Sequence, residues 1–181
     1  MNILRNDLEM SLNLRAQLDF PKKGVEFIDI TPLILQKEVL EEITTRFYLK
    51  LRNKKIDYLV LPEARGFLFG SAVADRLKCG VLPVRKQGKL PPNFVESTFE
   101  STKEYGKDIL ELPKLVNDSY INKNFYIIDD LCGTGNTIRS IVNAITDLGG
   151  NVVGAGCVVN IPALNDDKHI FSLIDVEETN E

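Results

Sequence analysis

The sequence predicts an α/β protein with a doubly wound, mainly parallel sheet flanked by helices. Two observations carry this prediction. Apolar strand-like runs alternate with amphipathic helical segments in two stretches, residues 58–84 and 125–159, and such alternation favours parallel strands joined by crossover helices. The chain also has 181 residues with 44% hydrophobic composition, which suits one central sheet and one domain rather than two.

The first element with a clear period is a helix at residues 39–51. Val39, Ile43, Phe47 and Leu51 recur at helical spacing, so they share one apolar face. This face predicts a helix that packs on a core.

The first strand–turn–helix–strand unit follows directly. Its pattern predicts a strand at residues 58–61, a turn at 62–66, a helix at 67–77 and a strand at 81–84. Gly80 is predicted to end the helix, because glycine is the usual residue at a helix stop.

The second unit repeats this order near the C-terminus. It predicts a strand at residues 125–128, a turn at 129–136, a helix at 137–148 and a strand at 152–159. The carboxyl ends of parallel strands form the ligand crevice of such sheets. We therefore expect the side chains of the two strand-to-helix turns to face one cleft, among them Glu63, Arg65, Asp129, Asp130 and Thr134.

Composition excludes several classes of protein. The formal net charge of -4 and the pI near 5.2 provide no positive field for a nucleic acid partner. No apolar run approaches the roughly 20 residues that span a bilayer, and the charged N-terminus does not resemble a signal peptide, so we expect a cytoplasmic protein. Cys79, Cys132 and Cys157 lack the spacing of a disulfide framework or a zinc site.

The stretch Gly133, Thr134, Gly135, Asn136 and Thr137 precedes the second predicted helix. Helix N-termini present unpaired N–H groups and a partial positive charge, and glycine lets the backbone close around an anion. The stretch therefore predicts a phosphate seat, although its spacing is not that of a Walker loop. The alternative is an ordinary helix N-cap by threonine or asparagine.

Two acids stand immediately before this seat, at the end of an apolar strand. Asp129 and Asp130 would repel the anion itself, so their expected partners are nearby donors such as sugar hydroxyls or a hydrated Mg²⁺. A phosphate seat beside two carboxylates matches a phosphorylated ribose. The sequence thus predicts a ribose 5-phosphate site.

The segment between the two units, residues 85–107, has no sustained helical period. Long irregular segments in compact domains are usually functional lids or disordered linkers. The runs "FVESTF" and "DILELP" are suited to pair as an antiparallel hairpin. We interpret the segment as a mobile lid over the cleft, with an inert insertion as the alternative.

These motifs resemble those of the type I phosphoribosyltransferase family, and in particular its adenine-specific branch. The phosphoribosyl pyrophosphate motif of that family is an apolar strand, two acids and a T-G-x-T loop, here "YIIDD" and "TGNT". The resemblance extends over residues 19–173 and is carried by four further segments: "DFPKKGVEFIDITPLI", "EARGFLFG", "PVRKQGKLP" and "EYGKDILEL".

The resemblance implies a purine salvage enzyme that joins adenine to phosphoribosyl pyrophosphate, giving AMP and pyrophosphate. It implies Mg²⁺ as cofactor, held mainly by substrate and water, and a homodimer without nucleic acid or membrane partners. It also implies a single domain at residues 1–181, with a base-binding hood at residues 1–35 and a lid at residues 85–112.

The family pattern also implies roles for single residues. Glu104 in the lid would manage the proton on the purine, and Arg65 would act with it in catalysis. The remaining roles fall into three groups: phosphoribosyl binding by Asp129, Asp130, Gly133, Thr134, Gly135, Asn136 and Thr137; pyrophosphate binding by Glu63, Ala64, Arg65, Arg85, Lys86, Lys89 and Tyr105; base binding by Glu26, Phe27, Ile28 and Ile161.

The sequence departs from the family pattern at three positions. Asn136 stands for a glycine of the phosphate loop, Ile28 for a common arginine, and Asn160 for an acid before the base-covering residue. The last two leave open a transferase for hypoxanthine, guanine or xanthine. A nucleotide-sensing regulator on the same fold is the alternative from another class.

Overall fold

The structure is a computed structural model that describes residues 2–3, 14–20, 22–103, 106–165, 167 and 169–177. Within these residues the strands and α-helices follow one another in this order: β1 Asn2–Ile3, β2 Arg15–Leu18, β3 Glu26–Asp29, α1 Thr31–Ile34, α2 Lys37–Leu51, β4 Tyr58–Pro62, α3 Phe67–Leu77, β5 Gly80–Lys86, β6 Val95–Lys103, β7 Gly106–Pro113, β8 Asn124–Cys132, α4 Asn136–Asp147, β9 Asn151–Asn160 and β10 Ile170–Glu177.

Eight of the strands form one sheet in the order β1-β10-β9-β8-β4-β5-β7-β6. The five strands from β10 to β5 are parallel, and β1, β7 and β6 add antiparallel edges. The chain proceeds from β4 outward to β5 but returns to place β8 on the other side of β4. The boundary between β4 and β8 is therefore a topological switch point, where such sheets bind ligands.

The sheet separates two hydrophobic cores. In β4, Leu59 and Leu61 face one core and Val60 faces the other, as the two-residue period of a strand requires. Helices α2 and α3 cover the first core and meet at Phe47 and Phe69, whose ring centroids are 6.1 Å apart. Helix α4 covers the second core. The predicted doubly wound architecture is confirmed.

The first strand–helix unit follows the prediction except at the helix stop. Helix α3 spans the predicted residues, but the left-handed residue that caps its C-terminus is Lys78, with φ 57°. Gly80 already belongs to β5, and a Cβ there would lie 2.6 Å from Cδ1 of Tyr58. The predicted role of Gly80 as helix stop was wrong, since close packing of the Tyr58 ring requires it instead.

The second unit differs from the prediction at its turn. Strand β8 continues through Cys132, so Asp129 and Asp130 are strand residues rather than turn residues. Parallel pairing with β9 keeps the strand extended, since Leu131 still pairs with Val159. The left-handed residue of the loop is Gly135, with φ 74°, and Asn136 is the first residue of α4.

The segment predicted as an irregular lid contains two paired strands. The predicted antiparallel pairing is confirmed, with Phe99 opposite Leu110. Strand β7 joins the main sheet through Arg85 of β5, which pairs with Glu111. Strand β6 packs against α4, where Ser101 Oγ donates a hydrogen bond of 3.4 Å to Thr137.

A second sheet, formed by β2 and β3, stands apart from the main sheet. Its register pairs Gln17 with Phe27, and a turn held by the 2.7 Å bond from Gly24 N to Asp19 Oδ1 lies between the strands. This small sheet brings Phe27 to the edge of the cavity described below. No helix in the described ranges is long and apolar enough to cross a membrane.

Candidate active site

A cavity of about 180 Å³ opens at the carboxyl ends of β4 and β8, at the topological switch point. It brings together most of the residues that the sequence predicted for the site. Those that line it are Phe27, Glu63, Ala64, Arg65, Lys86, Asp129, Asp130, Gly133, Thr134, Gly135, Asn136, Thr137 and Ile161.

Some predicted site residues are not in the cavity wall. Arg85, Lys89 and Ile28 do not line it, and Ile28 is buried in the first core. Glu104 and Tyr105 lie outside the described residues, as does the side chain of Glu26, whose backbone forms part of β3.

Both acids of β8 are buried, with Asp129 9% and Asp130 6% exposed. The backbone N–H of Asp130 donates a 2.8 Å hydrogen bond to Asp129 Oδ1. Burial raises the pKa of the Asp129 carboxyl well above its ordinary value, and the negative charge of Asp130 raises it further. The strand therefore places two neighbouring carboxyl groups at the cavity wall, and the pKa of Asp129 is raised there.

Arg65 joins the turn after β4 to these acids. Its Nε lies 2.6 Å from Asp130 Oδ2, and its guanidinium lies 5.2 Å from the centroid of the Phe27 ring. Its Nη1 atom is buried and has no hydrogen-bond partner among the described residues. Arg65 therefore keeps an unused donor beside the cavity, which suits an anionic ligand.

Glu63 is held by two donors from β5. Its Oε2 accepts hydrogen bonds from Arg85 Nε at 3.0 Å and from the Lys86 backbone N–H at 2.9 Å. Burial opposes ionisation of Glu63, but these two donors outweigh it and lower its pKa. Arg85 thus serves to neutralise Glu63, and its guanidinium also lies 6.0 Å from the Phe67 ring centroid.

The turn before α4 has the geometry of an anion seat. Gly135 occupies the N-cap position, and no side chain caps the helix. The alternative of an N-cap by threonine or asparagine was therefore wrong. The N–H groups of the first turn have no capping side chain, and the positive end of the helix faces the loop. A Cβ at Gly135 would lie 2.9 Å from Nη1 of Arg139, in a backbone conformation that favours glycine.

The cavity includes residues that sequence reasoning missed. Thr102 and Asp108 reach it from the β6–β7 hairpin, and Val25 reaches it from the turn before β3. Asp108 Oδ2 lies 3.6 Å from Nζ of Lys86. No local sequence signal could have found Thr102 and Asp108, because the fold of the hairpin against the sheet brings them to the cavity.

Asn160, one of the departures from the family pattern, does not line the cavity. Its side chain is buried at the end of β9, where Nδ2 donates to Asp175 Oδ1 at 3.1 Å and Oδ1 accepts from Asn165 Nδ2 at 3.0 Å. Asp175 also accepts a 2.6 Å hydrogen bond from Ser172. The substitution at Asn160 therefore changes a polar network behind the cavity rather than its wall.

The chain that forms this cavity matches a known protein family. The sequence pattern of the phosphoribosyl transferase domain matches residues 34–181. The protein is thus of the phosphoribosyltransferase class.

Similarity to individual proteins narrows this class. An adenine phosphoribosyltransferase of Clostridium acetobutylicum is 42% identical over 158 residues, which cover 87% of this chain and 90% of that protein. The solved adenine phosphoribosyltransferase of Thermoanaerobacter pseudethanolicus has a TM-score of 0.82 at 36% identity, covering 93% of this chain and 98% of that one.

A third relative is the adenine phosphoribosyltransferase of Saccharomyces cerevisiae, solved with D-2,5-dideoxy-2,5-imino-altritol 1,6-bisphosphate and adenine. Its TM-score is 0.79 at 32% identity, and the match covers 91% of this chain and 96% of that one. The chain belongs to the adenine phosphoribosyltransferase family, and the family resemblance of its motifs is confirmed.

Proposed function

We propose that the protein transfers a phosphoribosyl group from phosphoribosyl pyrophosphate to adenine, giving AMP and pyrophosphate. The observation that carries this proposal is the cavity in which a phosphate seat, two buried acids and Arg65 meet. Its relatives at 42% and 36% identity are adenine phosphoribosyltransferases, and this supports adenine as the base.

The phosphate seat, residues 133–137, binds the 5-phosphate of the sugar. Its first helical turn offers N–H donors, and Thr134 and Thr137 add hydroxyl groups. Asp129 and Asp130 then accept hydrogen bonds from the two ribose hydroxyls, since the acids stand next to the seat in the cavity wall.

Pyrophosphate binds on the opposite side of the sugar, at the turn after β4. Arg65 supplies the unused Nη1 donor, and Lys86 supplies a positive charge in the cavity wall. The charge of Glu63 is compensated by Arg85 and by the Lys86 N–H, so Glu63 repels the leaving group less than a free carboxylate would. Arg85 contributes through Glu63, which it neutralises, and Lys89, Ala64 and Tyr105 belong to the same subsite by family resemblance.

The residues present fit Mg²⁺ only as a cation that keeps substrate and water ligands. Within the described residues no three His, Cys, Asp or Glu side chains cluster as a metal site, while Asp129 and Asp130 offer carboxylates where the ribose hydroxyls would lie. Mg²⁺ commonly binds in this way, through one or two carboxylates and substrate oxygens. When bound, it supplies positive charge to the pyrophosphate.

The base lies between Phe27 and Ile161, which both line the cavity. The backbone of Glu26 and Ile28 in β3 reads the base edge, so side-chain changes at these positions leave recognition in place. Breaking the bond between the anomeric carbon and the pyrophosphate oxygen gives an oxocarbenium-like state, and the purine nitrogen forms the new bond. Glu104 accepts the proton that this nitrogen loses, and the pyrophosphate leaves with the electron pair.

The experiment that tests the function is a transfer assay with phosphoribosyl pyrophosphate, Mg²⁺ and each free base. Adenine is expected to be converted to its nucleotide, with kcat/KM at least about 100-fold above those for hypoxanthine, guanine and xanthine. If another base gave a higher kcat/KM than adenine, that base and not adenine would be the substrate. Binding of phosphoribosyl pyrophosphate without transfer to any base would favour a sensing protein.

The proposal extends to the assembly and the compartment. By family resemblance the protein is a homodimer, which light scattering of the purified chain would test against a monomer mass. The described cysteines Cys79, Cys132 and Cys157 are free, which agrees with a reducing compartment and hence with the cytoplasm.

Replacing Phe27 by alanine is expected to raise KM for adenine about 10-fold while kcat changes little. The ring contributes stacking to the base, and loss of one stacking partner typically costs about 1–3 kcal/mol. Initial rates at varied adenine concentration would measure the change. The matched control is Phe94→Ala, at an exposed ring outside the cavity. An unchanged KM for adenine in Phe27→Ala would remove Phe27 from the base site.

A further inference from the structure

The phosphate loop, residues 132–136, leads into the phosphate seat. Each of its five backbone carbonyl oxygens accepts a hydrogen bond. Cys132 O accepts from the N–H of Ile161 at 2.9 Å, and Gly135 O accepts from the N–H of Arg139 at 3.0 Å. Asn136 O accepts from Ser140 Oγ at 2.9 Å. Neighbouring backbone and the first turn of α4 therefore account for three of the five oxygens in residues 132–136.

The remaining two oxygens depend on side chains from outside the loop. Asn165 Nδ2 donates to Gly133 O at 2.6 Å, and Arg139 Nη2 donates to Thr134 O at 2.6 Å. The same Nη2 lies 2.7 Å from Asn136 Oδ1. The side chains of Asn165 and Arg139 thus hold these two carbonyl oxygens, and Arg139 also holds the side-chain oxygen of Asn136.

The orientation of the Asn165 amide follows from its partners. Besides Gly133 O, its Nδ2 lies 3.2 Å from Ile161 O and 3.0 Å from Asn160 Oδ1. Backbone carbonyls can only accept hydrogen bonds, so the nitrogen must face them. Asn160 is in turn fixed by Asp175. Asn165 is therefore a donor that joins the phosphate loop to the base-covering residue Ile161 through a partly buried network.

This arrangement matters because an anion tolerates donors and not acceptors around it. In a planar trans peptide the C=O and the next N–H point in opposite directions. Neither Asn165 nor Arg139 lines the cavity. Because the Gly133 carbonyl is held toward Asn165, the N–H of Thr134 points away from Asn165. Asn136 replaces a glycine of the family pattern, and the guanidinium of Arg139 holds the amide oxygen that this substitution introduces.

We propose that Asn165 and Arg139 are positioning residues of the phosphate loop, which hold its oxygens away from the bound 5-phosphate and so keep the seat lined by donors. The inference rests on the proposed function, because it assigns the phosphate of the sugar to this loop. Arg139 adds a positive charge next to the seat, and Asn165 couples the seat to the base side of the cavity.

The test is calorimetry on the full chain with ribose 5-phosphate, and with pyrophosphate and Mg²⁺ as the comparison ligand. Asn165→Ala and Arg139→Met are each expected to weaken ribose 5-phosphate about 10-fold, the worth of one or two lost hydrogen bonds. Pyrophosphate affinity should stay within about twofold, because that ligand binds at Arg65. Arg139→Lys, which keeps the charge and a donor, should recover part of the loss.

Asn165→Leu separates positioning from space filling. Leucine has nearly the size of asparagine but offers no donor to Gly133 O, so a donor role predicts ribose 5-phosphate binding as weak as in Asn165→Ala. A space-filling role predicts that Asn165→Leu restores binding, and that result would overturn the proposal. The matched control is Arg76→Met, which removes an equal charge from a side chain hydrogen-bonded to Thr45. If Arg76→Met and Arg139→Met weakened ribose 5-phosphate binding equally, the proposal would also be overturned.

Two further readouts complete the design. Thermal midpoints without ligand confirm that each variant is folded, and in the transfer assay KM for phosphoribosyl pyrophosphate should rise while kcat at saturation stays within about twofold. Absence of ribose 5-phosphate binding to the unmodified protein would overturn the inference, whatever the transfer assay shows. If ribose 5-phosphate binds but no base is converted, the proposed function is wrong and the inference still stands to be tested. The order of the variants' affinities for ribose 5-phosphate then decides it.

Discussion

Replacing Arg65 by leucine is expected to lower kcat/KM for nucleotide formation by about 100- to 1000-fold, the usual effect of removing a donor that stabilises transition-state charge. The guanidinium is fixed by Asp130 at 2.6 Å and lies over Phe27, and its buried Nη1 has no partner among the described residues. The protein's own side chains therefore orient this guanidinium. Initial rates with varied phosphoribosyl pyrophosphate would measure the loss.

Two variants make this prediction specific. Arg65→Lys keeps the charge but not the planar fork, so it should fall between the leucine variant and the unmodified protein. Arg85→Leu removes an arginine that does not line the cavity and acts through Glu63, and its effect should be much smaller. Equal losses for Arg65→Leu and Arg85→Leu would contradict a direct role for Arg65 at the leaving group.

Asp129→Asn is expected to stabilise the free protein while it lowers kcat/KM for phosphoribosyl pyrophosphate about 10- to 100-fold. Hydroxyl donors from the bound ribose favour the ionised form of the Asp129 carboxyl. The ionised form accepts a ribose hydroxyl more strongly than a neutral amide does, and hydrogen bonds to charged groups contribute about 1.5–3 kcal/mol. Asparagine keeps an oxygen for the Asp130 N–H. Transfer rates and thermal midpoints of the two proteins would test both halves of this prediction.

The sign of the stability change follows from the raised pKa of Asp129. Burial, and then the charge of Asp130, raise the pKa of Asp129 above its ordinary value, so the folded state binds this proton more tightly than the unfolded state. The contribution of Asp129 to stability is thus present below its ordinary pKa and is lost as pH rises through the raised one. The gain in thermal midpoint should therefore be small at acidic pH and grow with pH.

A surface carboxylate provides the control for this pH dependence. Asp75 forms a solvent-exposed ion pair with Lys78. Its change to asparagine should cost the protein little stability, because exposed pairs contribute about 0–1 kcal/mol. Asp75→Asn should show no growing gain in midpoint between acidic and alkaline pH. If the gain in midpoint of Asp129→Asn over the unmodified protein shrank with rising pH, the raised pKa of Asp129 would be contradicted.

The described structure follows the sequence prediction most closely where the signal is local. The boundaries of α3 match the prediction because its apolar period and the following turn lie in one short segment. The hairpin pairing of β6 with β7 was also predictable, since both strands alternate and lie close in sequence. The end of β8 was not, because pairing with β9 rather than local composition extends the strand past Asp130.

For the candidate site, the residue types were predictable and their partners were not. A T-G-x-T loop after two acids indicates a phosphate and a sugar from chemistry alone. Asn165 carries no such signal, because its role depends on Gly133, which is distant in sequence and adjacent only in the fold. The same holds for Asp108, which reaches the cavity through the β6–β7 hairpin.

The amino-acid sequence by itself determined the α/β class, the order of its main strand–helix units and the chemistry of the two turns at the cleft. Hydrophobic period and turn composition are local properties, so they can be read along the chain. Only the tertiary structure decided which polar groups meet: Arg65 with Asp130, Arg85 with Glu63, and the neutral amide of Asn165 with the phosphate loop. The strength of these contacts depends on burial and on the distance between partners. Both arise only when distant segments pack together.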